Sequence, residues 1–165
     1  MVGKAWSIIL GANRPLTLSE MNIAVKTNTD ASSPKALDLE SETHFQANLR
    51  SLCGLFVSVY HGKIHFLHQT AREFLFAPPS PPATLIPDSA WHHTITTLSA
   101  HQVLAEVCVT YLDLFNVTET FTSPTGECLN CVDYSAKYWA GRFREASFNG
   151  PINNIRRATR TCNPH

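Results

Sequence analysis

The chain has no surplus of charge of either sign: 13 Lys and Arg face 13 Asp and Glu in 165 residues. Neutrality removes the attraction that carries non-specific binding to nucleic acid or an anionic bilayer, so partners are expected to be recognised by shape. Apolar runs near the roughly 20 residues that span a bilayer are absent. The N-terminus also has neither the basic start nor the compact apolar core of a secretory signal. A cytoplasmic chain without a membrane partner is the expectation. A GxxxxGKS or GxxxxGKT loop to cradle phosphates is missing, as is an acidic strand end for magnesium, so the chain carries no NTPase machinery of its own. Ser, His and acidic residues nowhere fall at an informative catalytic spacing. Cys53 and Cys108 sit in amphipathic patterns, where a thiol is buried and inert. An enzyme is not expected, and no catalytic residue is assigned. The five cysteines are an odd number and read as reduced thiols. Cys128 and Cys131 together with Cys162 and His165 have zinc-like spacing. Because the second pair ends the chain in an aperiodic tail, no metal site is assigned. No internal repeat is found.

What is present centres on residues 55–76, LFVSVY-HG-KIHFLHQTAREFLF. Leu55 to Tyr60 and Lys63 to His68 are rich in β-branched and aromatic residues, a composition that favours strands. His61-Gly62 between them is a two-residue hairpin loop. Alternation places Leu55, Val57 and Val59 on one face with Ile64, Phe66 and His68, so that a histidine ends a strand at the edge of a core. From Gln69 onward, Ala71, Phe74 and Leu75 follow helical spacing.

Taken in order, Trp6, Ile9 and Leu10 mark a short amphipathic helix that stops before Arg14-Pro15. Thr17 and Glu20 form a capping box for a second helix with Leu18, Met21 and Val25 on its apolar stripe. The polar segment 27–40 reads as a loop. A third helix is predicted over Glu42 to Cys53, with Gly54 as its stop. Leu49, Leu52, Phe56, Phe66, Phe74 and Leu75 are candidate core residues. Three helices, a two-stranded wing and a helix make a winged helix-turn-helix over residues 3–76. Five prolines in APPSPPATLIP mark a linker, assigned to 77–98. A helical segment over 99–147 follows, in which Val103, Leu104, Val107, Cys108, Tyr111, Leu112 and Phe115 give the first helix a broad apolar face. The second helix is predicted from about Cys131 to Ala146, and apolar patches are expected on the pair where neighbours would cover it. The tail 148–165 reads as disordered. The fold class is therefore mostly α: a winged helix-turn-helix followed by a helical pair.

These blocks carry a resemblance. RPLTLSEMNIAV (14–25), LCGLFVSV (52–59), KIHFLHQTAREFLF (63–76), Trp91, SAHQVLAEVCVTYLDL (99–114) and YSAKYWAG (134–141) occur in an order that resembles fungal NACHT-type nucleotide-switch proteins. The likeness is to their winged-helix domain and following helical segment, which lie between an NTPase domain and ankyrin or other repeats, and it covers Gly3 to Arg144. The resemblance implies a non-catalytic regulatory module acting in nonself recognition, heterokaryon incompatibility and programmed cell death. Its implied partners are the NTPase domain and repeats of a full-length protein, of which this chain would be a fragment. It implies no cofactor in this chain, ADP or ATP being bound by the missing NTPase domain. In such proteins a winged-helix histidine touches the phosphate of bound ADP and holds the closed state, and His68 matches that position. An imidazole at a helix start suits this role, since it can donate to phosphate beside free backbone amides. One departure is Arg142, where related proteins often carry a histidine.

A winged helix also suggests DNA binding, where phosphate contacts dominate affinity. The third helix offers Arg50 with Gln46 and Asn48, the wing offers Lys63, and the tail offers Arg156, Arg157 and Arg160. That is little positive charge for a DNA reader, and nucleic acid is not the expected partner.

Overall fold

The computed structural model describes residues 2–76, 94–117, 126–146, 155–156 and 158–160. Helix α1 spans Val2–Gly11 and α2 spans Leu18–Lys26. The capping box at the start of α2 is complete: Thr17 Oγ1 accepts from the Glu20 amide at 3.1 Å, and the Glu20 carboxylate accepts from the Thr17 amide at 2.9 Å. Helix α3 covers Glu42–Cys53, as its pattern predicts, with Ser41 as N-cap and Gly54 as C-cap. Phe45, Leu49 and Cys53 are its buried stripe. Leu52 is a correction: it is 38% exposed, because the strict i, i+4 line through Phe45, Leu49 and Cys53 turns it away from the core.

Strands β1 (Val57–Tyr60) and β2 (Lys63–Phe66) pair antiparallel, Val57 opposite Phe66 and Val59 opposite Ile64. Both turn residues take positive φ, His61 at 49° and Gly62 at 69°. This is the primed geometry that matches strand twist, held here with a histidine where glycine or asparagine is easier. The connection between α1 and α2 adds a third chain to the wing. Ile64 donates to Leu16 and Leu18 donates to Gly62, at 2.8 and 3.0 Å. The strands are shorter than the apolar runs suggested. Leu55 lies in a 3-10 turn and is 88% exposed, and His68 lies beyond β2. The chain turns at both ends to reach the flanking helices, which releases these residues from the alternation.

Helix α4 spans Gln69–Leu75. Phe56, Phe66 and Phe74 are half-buried against Trp6: Phe56 meets its ring edge-on at 5.6 Å, Phe66 stacks at 6.4 Å, and Phe74 stacks on Phe56 at 5.7 Å. Leu75 is fully buried. Where the chain returns, Phe76 pairs with Ile95 in a parallel bridge, and Ile95 donates to Leu75 at 3.2 Å. Most of the segment assigned as a linker, residues 77–93, lies outside the described residues.

Helix α5 (Thr97–Val117) and helix α6 (Gly126–Glu145) are both longer than their patterns suggested. They run antiparallel, since His101 near the start of α5 meets Arg142 near the end of α6. Helix α5 lies along α1. Ala100, Leu104, Val107, Cys108 and Tyr134 join one apolar cluster with Ala5, Trp6, Ile8 and Leu10 of α1, Met21 of α2 and Leu49 of α3. The approach is close: a Cβ on Gly11 would stand 2.9 Å from the Ala100 carbonyl oxygen. A second cluster joins Ile23, Leu37, Tyr111, Leu114 and Cys131, so the 27–40 loop is anchored by Leu37. It is also tied by Lys26 to Glu40 at 2.9 Å and by Asn22 to the Glu40 carbonyl at 2.7 Å.

Of the large apolar side chains exposed among the described residues, Leu52 lies on α3, Leu55, Tyr60 and Leu67 lie around the wing, and Leu98 lies at the start of α5 in the helical pair. Within the tail expected to be disordered, residues 155–156 and 158–160 are helical, and Arg160 pairs with Asp113 at 2.6 Å.

Candidate functional site

His68 sits at the β2 to α4 junction, exposed, with extended backbone. Its role there is to cap: Nδ1 accepts from the Thr70 amide at 3.2 Å and lies 3.0 Å from Thr70 Oγ1. A ring nitrogen that accepts from a backbone amide holds its lone pair inward, so in the neutral imidazole the proton resides on Nε2. The ring thus carries an oriented N–H donor at an exposed site beside a helix start. Histidine takes the place of the usual Ser, Thr, Asp or Asn cap. Near it, Leu55 and Leu67 are 88% and 61% exposed on two segments joined by the Leu67 amide to Phe56 carbonyl bond of 2.9 Å.

One helical turn after the cap, Arg72 lays its guanidinium over the Phe76 ring, 5.0 Å from the centroid. It does not pair with Glu73, which accepts from Gln69 Nε2 at 2.9 Å instead.

Sequence reasoning did not find the polar junction that joins the α1 to α2 turn to α5 and α6. Arg14 meets Glu20 through two bonds, 2.9 and 2.6 Å, and stacks over Tyr134 at 5.0 Å. Burial pushes the Glu20 carboxyl up, but Arg14 and the Thr17 amide together outweigh it and hold the carboxyl below its usual range. Tyr134 Oη accepts from the Asn13 amide at 3.3 Å, and burial pushes its hydroxyl up to about 12. Arg142 is 5% exposed and donates to His101 Nδ1 at 2.6 Å, to Glu145 at 2.9 Å and to Asn13 Oδ1. Burial first, and Arg142 second, hold His101 below its ordinary value against the pull of Glu145. Only the capping box around Glu20 left a mark in the sequence. The bonds that tie Arg142 to His101 and to Asn13, and Tyr134 to Asn13, join residues 41 to 129 apart.

The remaining candidates are scattered. Arg50 and Lys63 are exposed, Asn48 is bonded to Glu40, and Arg160 is engaged by Asp113. Arg157 lies outside the described residues, as do the side chains of Cys128, Cys162 and His165. Cys131 is buried in the second cluster. Burial pushes the Cys53 and Cys108 thiols up to about 12, as inert core cysteines require. Among the described residues no group of His, Cys, Asp and Glu could hold a metal ion, and no helix is long and apolar enough to cross a membrane.

Three helices, a hairpin wing pinned to the first inter-helix connection and a capped fourth helix define a winged-helix protein. Residues 3–80 match the family model of the GPI inositol-deacylase winged helix domain. The matched part is the winged helix, a non-catalytic fold, and does not extend to a deacylase domain. No curated protein and no solved structure matches the chain.

Proposed function

We propose that this chain is a non-catalytic regulatory and interaction module of a NACHT-type nucleotide-switch protein. In this reading the wing leans on an NTPase domain in the same polypeptide and relays its nucleotide state to ankyrin or other sensor repeats. The observation that carries the reading is the oriented imidazole of His68. Its Nδ1 is engaged by the Thr70 amide, so Nε2–H faces outward, where a docked domain's ADP phosphate would accept it. The exposed Leu55 and Leu67 beside it support the same face as the docking surface, since clustered exposed apolar side chains mark interaction sites. The nucleotide belongs to the neighbour, and the module supplies a contact made only in the closed state.

The test uses a full-length relative carrying both the NTPase domain and the equivalent histidine. His68→Ser keeps a helix cap and removes the ring donor, whereas His68→Ala removes both. Faster ADP release and raised basal signalling in both variants are expected. Unchanged nucleotide retention and signalling in both would overturn the assignment, and an effect of His68→Ala alone would reduce His68 to a structural cap.

A further inference from the structure

A cleft of about 240 Å³ opens between the end of α1, the α1 to α2 connection, β2 and α4. Leu10, Leu16 and Ile64 line its apolar part, and Arg14, His65 and Arg72 its polar part. The charges are not equivalent. Arg14 is neutralised by its two bonds to Glu20. Arg72 has no carboxylate partner among the described residues and is steadied only by the Phe76 ring beneath it. A guanidinium stacked on an aromatic face loses side-chain freedom while its donor edges remain available. The cleft therefore combines a positioned fork, uncompensated among the described residues, with an apolar floor.

Such a site selects an anion that carries apolar surface. Its volume falls below the roughly 300 to 1,000 Å³ of sites that enclose a small-molecule ligand or cofactor. It suits an anchoring side chain from a polypeptide instead. We propose that this cleft receives an acidic side chain, flanked by an apolar one, from a partner protein segment, with Arg72 as the carboxylate contact. The assignment stands on the cleft and its charges, and is independent of the nucleotide reading of His68.

The probe is the tripeptide N-acetyl-Leu-Glu-Leu-amide, titrated into the isotope-labelled full chain while the Arg72 Nε–H and Ile64 methyl resonances are followed. Saturable shifts of both resonances are expected. The Gln counterpart N-acetyl-Leu-Gln-Leu-amide should bind at least tenfold more weakly. Arg72→Gln should abolish the preference for Glu over Gln, and Arg72→Lys should keep part of it. Arg72 is exposed, so these variants test binding without disturbing the core. Equal binding of the Glu and Gln peptides, a preference that survives Arg72→Gln, or the same shifts from inorganic phosphate at equal concentration would each overturn the proposal.

Discussion

Gly11→Ala changes stability with a sign that depends on whether α5 lies against α1. Gly11 is the last residue of α1, and its φ is not in the left-handed region, so alanine fits the backbone there. Taken alone, the substitution favours the helix by up to about 1 kcal/mol, the difference in propensity between glycine and alanine. The packing opposes it. The new Cβ would stand 2.9 Å from the Ala100 oxygen and 3.3 Å from its carbonyl carbon, both backbone atoms that cannot rotate aside. Restoring an ordinary 3.4 Å contact requires α5 to move back by 3.4 − 2.9 = 0.5 Å. A gap of that size already forfeits about a quarter or more of the dispersion attraction across it. It would be felt by Ala100, Leu104, Val107 and Cys108, all buried in the cluster shared with α1. Overpacking of this kind costs about 1–3 kcal/mol, so a net loss of about 0–2 kcal/mol is expected after the propensity gain. Urea unfolding followed in parallel by tryptophan fluorescence and far-ultraviolet circular dichroism measures it. Increased stability would refute the shared core.

Other perturbations test other joints. His101 is held below its ordinary value of 6.5, so the unfolded imidazole takes up its proton first. Native stability should therefore decline as pH falls through 6.5, and the decline should level off below the native value; His101→Gln should flatten this part of the profile in pH-dependent urea melts. Glu20 has the opposite linkage, its depressed carboxyl stabilising the fold above its ordinary 4.5 and losing that contribution as pH falls through the native value. Leu49→Ala should cost about 2–5 kcal/mol and Leu55→Ala less than about 0.5 kcal/mol by chemical denaturation, because the first is 2% and the second 88% exposed. His61→Gly should raise stability by about 0.5–1 kcal/mol, since it relieves a side chain held at φ 49°; a destabilised variant would mean that the Tyr60 to His61 ring contact outweighs the backbone term.

The winged helix was legible because its signals are local. The capping box lies within four residues, the hairpin turn within two, and the stripes of α2 and α3 repeat every turn. What was not legible depends on long-range contacts. The Trp6, Ile9, Leu10 stripe described one face of α1, whereas Ala5 and Ile8 are buried as well because α5 covers the helix from another side. Leu55 and His68 looked like strand residues because apolar alternation continues through them, yet β1 begins only after the first and β2 ends before the second. The Asn13, His101, Tyr134 and Arg142 junction has no periodic signature. Its members come from three places in the chain and meet only when the helical pair closes on the first turn. His68 was found through a resemblance, and the structure adds the bond that orients its ring.

The transcript that encodes this chain, read in frame on the 5′ side of Met1, tests most directly whether the wing serves a nucleotide-holding neighbour. A domain-sized reading frame containing a GxxxxGKS or GxxxxGKT loop, continuous with Met1, is the expected result. A stop codon in frame immediately before Met1, with no phosphate-binding loop joined to it in any transcript, would contradict the account.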